Sequence, residues 1–211
     1  MNDPLVIQGT NNWLAQRRKG LGSSDAAPIM KCCEYRSMLD VWKDKLGLLP
    51  PIKENPAMAL GHKFEIVARA RFCLANDIEI DPAFVKHEDC EFIFASLDGA
   101  NLEKKITVEI KYMGLEKWTA IAESKAPTPM HYAQIQHQLL VTGFPMSYYI
   151  CYTLTDDKKE IDKYQCLEVP KNDEYITELF KKEIEFWAMV KNNVAPPDEP
   201  VAKKVRKKKG G

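Results

Sequence analysis

Ser96-Leu-Asp-Gly-Ala-Asn-Leu-Glu-Lys-Lys-Ile-Thr-Val-Glu-Ile-Lys111 is the stretch on which the fold turns. An apolar run, Phe92-Ile-Phe-Ala95, leads into Asp98-Gly99, and after a polar connection residues 105–111 alternate with a period of two. Two such runs around Gly and Asn predict a β-hairpin. Side chains alternate faces along a strand. Ile106, Val108, Ile110 and Tyr112 therefore share one face, and Lys105, Thr107, Glu109 and Lys111 share the other. Glu109 and Lys111 are same-face neighbours about 7 Å apart. Asp98 is expected where the first strand gives out, close enough for the hairpin to bring it to them.

Two carboxylates converging with a lysine have a chemical use. Carboxylate oxygens suit a hard divalent cation such as Mg²⁺, which polarises a phosphoryl oxygen and lowers the pKa of a water. The lysine can orient that water, help deprotonate it, or balance developing charge. By itself so short a pattern as Glu-x-Lys far more often describes a solvent-facing strand with an ordinary ion pair, so the rest of the chain has to overturn that reading.

With 211 residues, 45% of them hydrophobic, the chain suits one large domain. We expect a single domain over 1–195, followed at 196–211 by a proline-containing, basic, disordered tail. No 18-residue apolar run predicts a membrane span, and the N-terminal residues lack a signal peptide's basic and apolar regions, so a cytosolic protein is expected. The six cysteines show no zinc spacing and read as reduced structural residues. The formal net charge is zero, but residues 203–209 hold six cations. Without them 24 basic residues face 30 acidic ones, a body of net −6. That argues against a nonspecific nucleic-acid coat; any such contact is local or metal-dependent.

A short helix is predicted from Asn11 to Gly20, ending in Arg17, Arg18 and Lys19. A second is expected to be capped by Ser23 or Ser24, and its start either offers backbone N–H groups to an anion beside Arg17 or is simply capped. Ser37 to Leu46 reads as a third helix. Asn55-Pro56 opens a fourth that runs to Asn76, with Met58, Gly61, Glu65, Ala68 and Phe72 on one stripe; Glu65 is a carboxylate on a small, apolar face. His87, Glu88 and Asp89 have the composition of a metal cluster but read better as a turn flanked by charges. Residues 114–125 form a helix with Trp118 and Ile121 inward. Thr128-Pro129 starts another, closed by Gly143, with Gln134 and Gln138 on a polar stripe that is either a solvent face or a surface for phosphates and water. Residues 147–154 and 163–169 read as paired strands, and Asn172 caps a last helix with Leu179, Ile184, Phe186, Trp187 and Val190 on its apolar face. The order predicts an α/β (α+β mixed) fold, a central mixed β-sheet flanked by helices.

Four separated patterns stand in order: Trp13-x3-Arg17-x6-Ser24-Asp25; Gly61-x3-Glu65; Ser96-Leu-Asp98-Gly99 followed by Glu109-Ile-Lys111; and Gln134-Ile-Gln136. In that order they resemble the lambda-type phage exonucleases, the YqaJ-like branch of the PD-(D/E)XK nuclease superfamily. The resemblance covers residues 13 to about 140 through motifs. It implies a restriction-endonuclease-like core with Asp98 and Glu109 as metal-binding carboxylates and the Ile110 backbone carbonyl as a third ligand. Lys111 would position or activate the attacking water, and Glu65 would approach the metals, often through water. Arg17, Ser24 and Ser96 match residues that hold a terminal 5′-phosphate, and Gln134 matches a glutamine near the scissile region. Asp25 matches an acidic position with no assigned role, and Leu97 departs from the family's frequent proline.

The resemblance further implies Mg²⁺, two ions per active site with Mn²⁺ as substitute. It implies 5′→3′ digestion of one strand of linear double-stranded DNA bearing a 5′-phosphate, releasing 5′-mononucleotides and leaving a 3′-ended single strand for phage recombination. It implies a homotrimer ring around the DNA, a phage single-strand annealing protein as partner, and the bacterial host cytosol as the place. The rival readings are an endonuclease of the same superfamily and a non-catalytic DNA-end-binding assembly protein.

Overall fold

Asn55, Thr128 and Asn172 each stand directly before a helix and fold back to accept a hydrogen bond from the backbone N–H three residues on. Each such cap is worth roughly 1 kcal/mol. In the computed structural model, which describes residues 11–50, 54–199 and 201, these caps open helices α4 (Pro56–Asn76), α6 (Pro129–Thr142) and α7 (Asp173–Lys191). Asp77 and Gly143, both left-handed, end α4 and α6. The N-terminal helices are α1 (Asn11–Arg18), α2 (Ser23–Ile29) and α3 (Met38–Lys45), and α5 is Leu115–Ser124. The expected basic tail at 203–209 and the N-terminal segment before Asn11 lie outside the described residues.

Five strands, β1 (Asp81–Lys86), β2 (Phe94–Asn101), β3 (Ile106–Tyr112), β4 (Met146–Leu154) and β5 (Ile161–Pro170), form one sheet in sequence order. Only β3 and β4 run parallel; every other pair is antiparallel. The parallel pair needs a long crossover, and α5 and α6 supply it. The mixed sheet with helices on both faces is thus as expected.

On one face α4 packs Phe64, Ala68 and Phe72 against Val108, Ile110, Ile150 and Tyr152. On the other, α5, α6 and α7 pack Ile121, Ile135, Leu139 and Ile176 against Tyr149 and Cys151. Each of these larger side chains contributes about 1.5–3 kcal/mol by leaving water.

Three expectations are corrected. Met58, in the first turn of α4, is 38% exposed: the buried stripe starts later and runs Phe64, Ala68, Phe72, keeping two of the expected residues and placing Phe64 inward beside Glu65. In α7 the buried stripe runs Ile176, Leu179, Glu183, Phe186, Val190, so Ile184 faces outward and the charged Glu183 lies inside. Glu183 is tolerated there because His137 Nδ1 meets its carboxylate at 2.6 Å while His137 Nε2 lies 2.9 Å from the Phe94 carbonyl. Burial pulls the His137 imidazole down, but the Glu183 carboxylate and the Phe94 carbonyl outweigh it and raise it above its ordinary value, favouring the cation that donates to both. The cap of α2 is Gly22, whose N–H donates to Asp25 Oδ2 at 3.0 Å, rather than Ser23 or Ser24.

Candidate active site

Asp98 does not end its strand. β2 continues through Asn101, but between Leu97 and Ala100 it carries one residue more than β1, because Ala83 pairs with Leu97 and Asp81 with Ala100. This β-bulge shifts side-chain direction, as bulges beside functional sites do. Leu97 and Ala100 both face the Val141 side of the sheet. Gly99 faces α4, where a Cβ would stand 2.6 Å from Ile80 Cδ1. Asp98, in the bulge, turns toward β3, and its Oδ2 accepts the Ile110 N–H at 2.8 Å. The Arg69 guanidinium from α4 donates to the Asp98 carbonyl at 2.6 Å.

Glu109 and Lys111 share a face, as the alternation predicts, and the Lys111 ammonium contacts Glu109 Oε1. That face is not solvent. Within β3, Thr107 and Glu109 are fully buried and Lys111 keeps about a quarter of its side chain exposed, 28%, while Lys105, just before the strand, is exposed. Gln138 of α6 donates through Nε2 to Glu109 Oε2, so the polar stripe of α6 is an inner surface. Glu65 approaches from α4, 3.5 Å from Arg69.

The electrostatics record the convergence. Burial first, then the Asp98 charge, push the Glu109 carboxyl up to about 7 against the pull of Lys111. The same two causes push Glu65 to about 7, opposed by Arg69, Lys111 and His62. Burial pulls the Lys111 ammonium down, but Glu109, Asp98 and Glu65 outweigh it and hold it above its ordinary range. Burial, and then the repulsion among three neighbouring carboxylates, therefore raises both Glu65 and Glu109 above the usual carboxylate range. A hard cation would relieve that repulsion, and an all-oxygen donor set suits one. Among the described residues no group of three or more His, Cys, Asp or Glu side chains is arranged so that it could hold a metal ion. Mg²⁺ does not require such a group, since it keeps several waters and binds through one or two carboxylates. The all-oxygen donor set suits such an ion, which Asp98 and Glu109 would hold with Glu65 beside them.

The N-terminal candidates come to the same sheet by a backbone stitch. Leu21 N donates to the Phe92 carbonyl at 2.6 Å, and Phe94 N donates to the Leu21 carbonyl at 3.0 Å. The approach is close enough that a Cβ on Gly20 would stand 2.2 Å from the Phe92 oxygen, which is why glycine precedes Leu21. Across this stitch Arg17 Nη2 donates to Ser24 Oγ at 2.8 Å. Ser96, half-buried, lies midway along β2 between Phe94 and Asp98, a run of about 13 Å. The α2 helix has only seven residues, so the expected anion site rests on the Arg17 and Ser24 side chains and not on a helix terminus.

Gln134 is half-buried, one turn before Gln138. Gln136 is a clasp: its Nε2 donates to the Pro170 carbonyl and its Oε1 accepts the Asn172 N–H, each at 2.9 Å, fixing the β5–α7 junction. The residues that sequence reasoning missed are Gln138 and Arg69. Gln138 had been placed only on a polar stripe; its i+4 relation to Gln134 was visible, its burial was not. Arg69 stands at i+4 from Glu65, a spacing that could have flagged it.

The family profile described as the YqaJ-like viral recombinase domain matches residues 12–145, a span holding every carboxylate, arginine and glutamine of this site. The chain belongs to the YqaJ-like family. Its resemblance in sequence extends to the uncharacterized protein YqaJ of Bacillus subtilis (strain 168), 29% identical over 185 residues, 84% of this chain and 55% of that protein. The chain thus spans about half the length of the curated relative it matches. In fold this YqaJ-like chain is similar to the alkaline exonuclease LHK-Exo from Laribacter hongkongensis, with TM-score 0.72, 23% identity and coverage of 88% of this chain and 94% of that one. It is also similar to a phage related exonuclease from Haemophilus somnus 129PT, with TM-score 0.66, 12% identity and coverage of 83% and 95%. At these identities the likeness is one of fold. No helix among the described residues is long and apolar enough to cross a membrane.

Proposed function

We propose that this YqaJ-like chain is a Mg²⁺-dependent nuclease that digests one strand of linear duplex DNA from a phosphorylated 5′ end, releasing 5′-mononucleotides. The observation that carries the reading is the convergence of Asp98, Glu109, Lys111 and Glu65 at the β2 bulge. The fold it shares with LHK-Exo, also solved in complex with dAMP, supports a nucleotide product. Its tasks divide among the residues. Asp98, Glu109 and the Ile110 carbonyl would hold the cation, with Glu65 as an outer carboxylate and Mn²⁺ as a possible substitute ion. When bound, the cation supplies Lewis-acid polarisation of the phosphoryl oxygen and a water of lowered pKa. Lys111 is an ammonium throughout the working pH range, which favours orienting water and balancing charge over accepting a proton. Arg17, Ser24 and Ser96 would take the terminal phosphate, and Gln134 the strand near the scissile bond. Assembly as a homotrimer ring, transfer of the 3′ strand to an annealing protein, and a single nuclease domain ending near residue 195 belong to the same proposal.

Linear duplex with a 5′-phosphate, incubated with Mg²⁺ and with chelator beside a covalently closed circle, tests it. Mononucleotides from the linear DNA alone, and only with metal, are expected. A nicked circle would move the assignment to an endonuclease, and intact DNA with end binding to an assembly protein.

Two predictions arise here. Glu65 and Glu109 titrate near 7 in the fold against an ordinary value of 4.5, so the folded state favours their neutral forms. That stability is present below about 4.5 and is lost as pH rises through 7. Metal-free protein should lose thermal stability over this window. Mg²⁺ affinity, read by calorimetry, should strengthen about tenfold to a hundredfold between pH 6 and 8, depending on whether one carboxylate or both must lose a proton. Affinity flat over that range would place the ion elsewhere. Second, Gln138→Leu removes the donor that fixes Glu109. It should cost roughly 10–100-fold in turnover at unchanged DNA affinity; unaltered turnover would reduce Gln138 to a packing role.

A further inference from the structure

Between α1, α2 and α3 lies a buried charge pair that the proposed chemistry does not use. The Asp25 carboxylate is fully buried and the Lys45 side chain is 1% exposed, with Nζ 2.6 Å from Asp25 Oδ2. Lys45 Nζ also donates to the Arg17 carbonyl at 2.6 Å. Asp25 Oδ2 accepts from Gly22 N at 3.0 Å, and Arg36 Nη1 stands 3.8 Å from Asp25 Oδ1. Burial raises the Asp25 carboxyl, but Lys45, Arg17 and Arg36 more than offset it and hold it at about 2, so the anion persists at every working pH.

A buried ion pair is weak evidence of stabilisation, because the loss of hydration rivals the Coulomb gain. Position explains this one better. Lys45 fixes the backbone at Arg17, Asp25 fixes the backbone at Gly22, and these anchor points flank the stitch of Leu21 onto Phe92 and Phe94. They also set the two ends of the Arg17–Ser24 hydrogen bond. Free of the pair, α1 could rotate about the Gly20–Gly22 linker and withdraw the guanidinium from Ser24.

We propose that Asp25 and Lys45 are positioning residues that hold Arg17 and Ser24 in register for a terminal phosphate, and so set the enzyme's preference for phosphorylated ends. The inference rests on the nuclease reading above, and specifically on its phosphate pocket. Neither residue touches the ligand: Asp25 is sealed, and Lys45 acts through the Arg17 carbonyl.

The test compares 5′-phosphorylated and 5′-hydroxyl duplexes, both by end-binding affinity in chelator and by digestion rate with Mg²⁺. The full chain is compared with the variant Asp25→Asn/Lys45→Met, which removes both charges and keeps side-chain volume. The phosphate-to-hydroxyl ratio should fall at least about tenfold, through KM for phosphorylated ends, while digestion at saturating ends is held. A purely structural pair would lower both substrates alike or shift only the melting temperature, and an unchanged ratio in a folded variant overturns the proposal while leaving the nuclease reading intact. Wild-type protein that binds both ends equally overturns the pocket and this proposal together, whatever its digestion. Should the double variant not fold, Asp25→Asn alone keeps an acceptor for Gly22 and must move the ratio in the same direction; no movement there counts against the pair.

Discussion

Lys111→Ala should lose about a thousandfold or more in single-turnover digestion of linear duplex, roughly 4 kcal/mol of barrier, while remaining folded. The fold survives because of what happens to Glu109. Without its cation the carboxyl, already near 7, moves further up and is neutral at pH 7. A neutral acid still accepts from Gln138, so no uncompensated charge is left inside. The protonated Glu109 would also hold a cation poorly, so part of the loss should return at pH 9. The part that does not return measures what the ammonium itself does. Wild-type rates in the purified variant at any pH would remove Lys111 from the mechanism.

Asp98→Ala should abolish digestion and also cost stability, since the buried Ile110 N–H loses its acceptor, a penalty of about 1–3 kcal/mol. Asp98→Asn separates the two effects. The amide oxygen can still accept from Ile110; burial, the larger cause, still raises Glu65 and Glu109, but the Asp98 charge that adds to it is gone, so both carboxyls fall part of the way toward their ordinary value. Metal-free Asp98→Asn should therefore melt higher than wild type at pH 8 and similarly at pH 5, with Mg²⁺ binding and digestion lost. A variant that still digests, or whose melting still rises with Mg²⁺, would reassign the metal-binding carboxylate.

The sequence made the helix ends legible because capping is local chemistry: Asn55-Pro56, Thr128-Pro129 and Asn172 name their own boundaries. Alternation placed Glu109 and Lys111 on one face without ambiguity. It could not say that this face is covered, because that depends on α6 lying across a parallel strand pair. For the same reason Gln138 read as part of a stripe that met either solvent or phosphates, and Ile184 was placed on the apolar face where Glu183 stands. The bulge was invisible in Asp98-Gly99, since the extra residue exists only relative to β1. The grouping of Glu65 with the hairpin came from the order of four motifs and not from any one of them; spacing within a helix says nothing of which strand lies beneath it.

The bulge has a kinetic consequence. Asp98 and Ile110 are twelve residues apart, so the hairpin that joins them closes early, whereas Gln138 arrives only with the crossover to β4, a contact of much longer sequence separation. In that order of events the Asp98 and Glu109 carboxylates meet before α6 covers them. A divalent cation present during refolding at pH 8 should thus quicken the folding limb as well as slow unfolding, so that the ion acts as an assembly factor for the sheet before it has any substrate to work on.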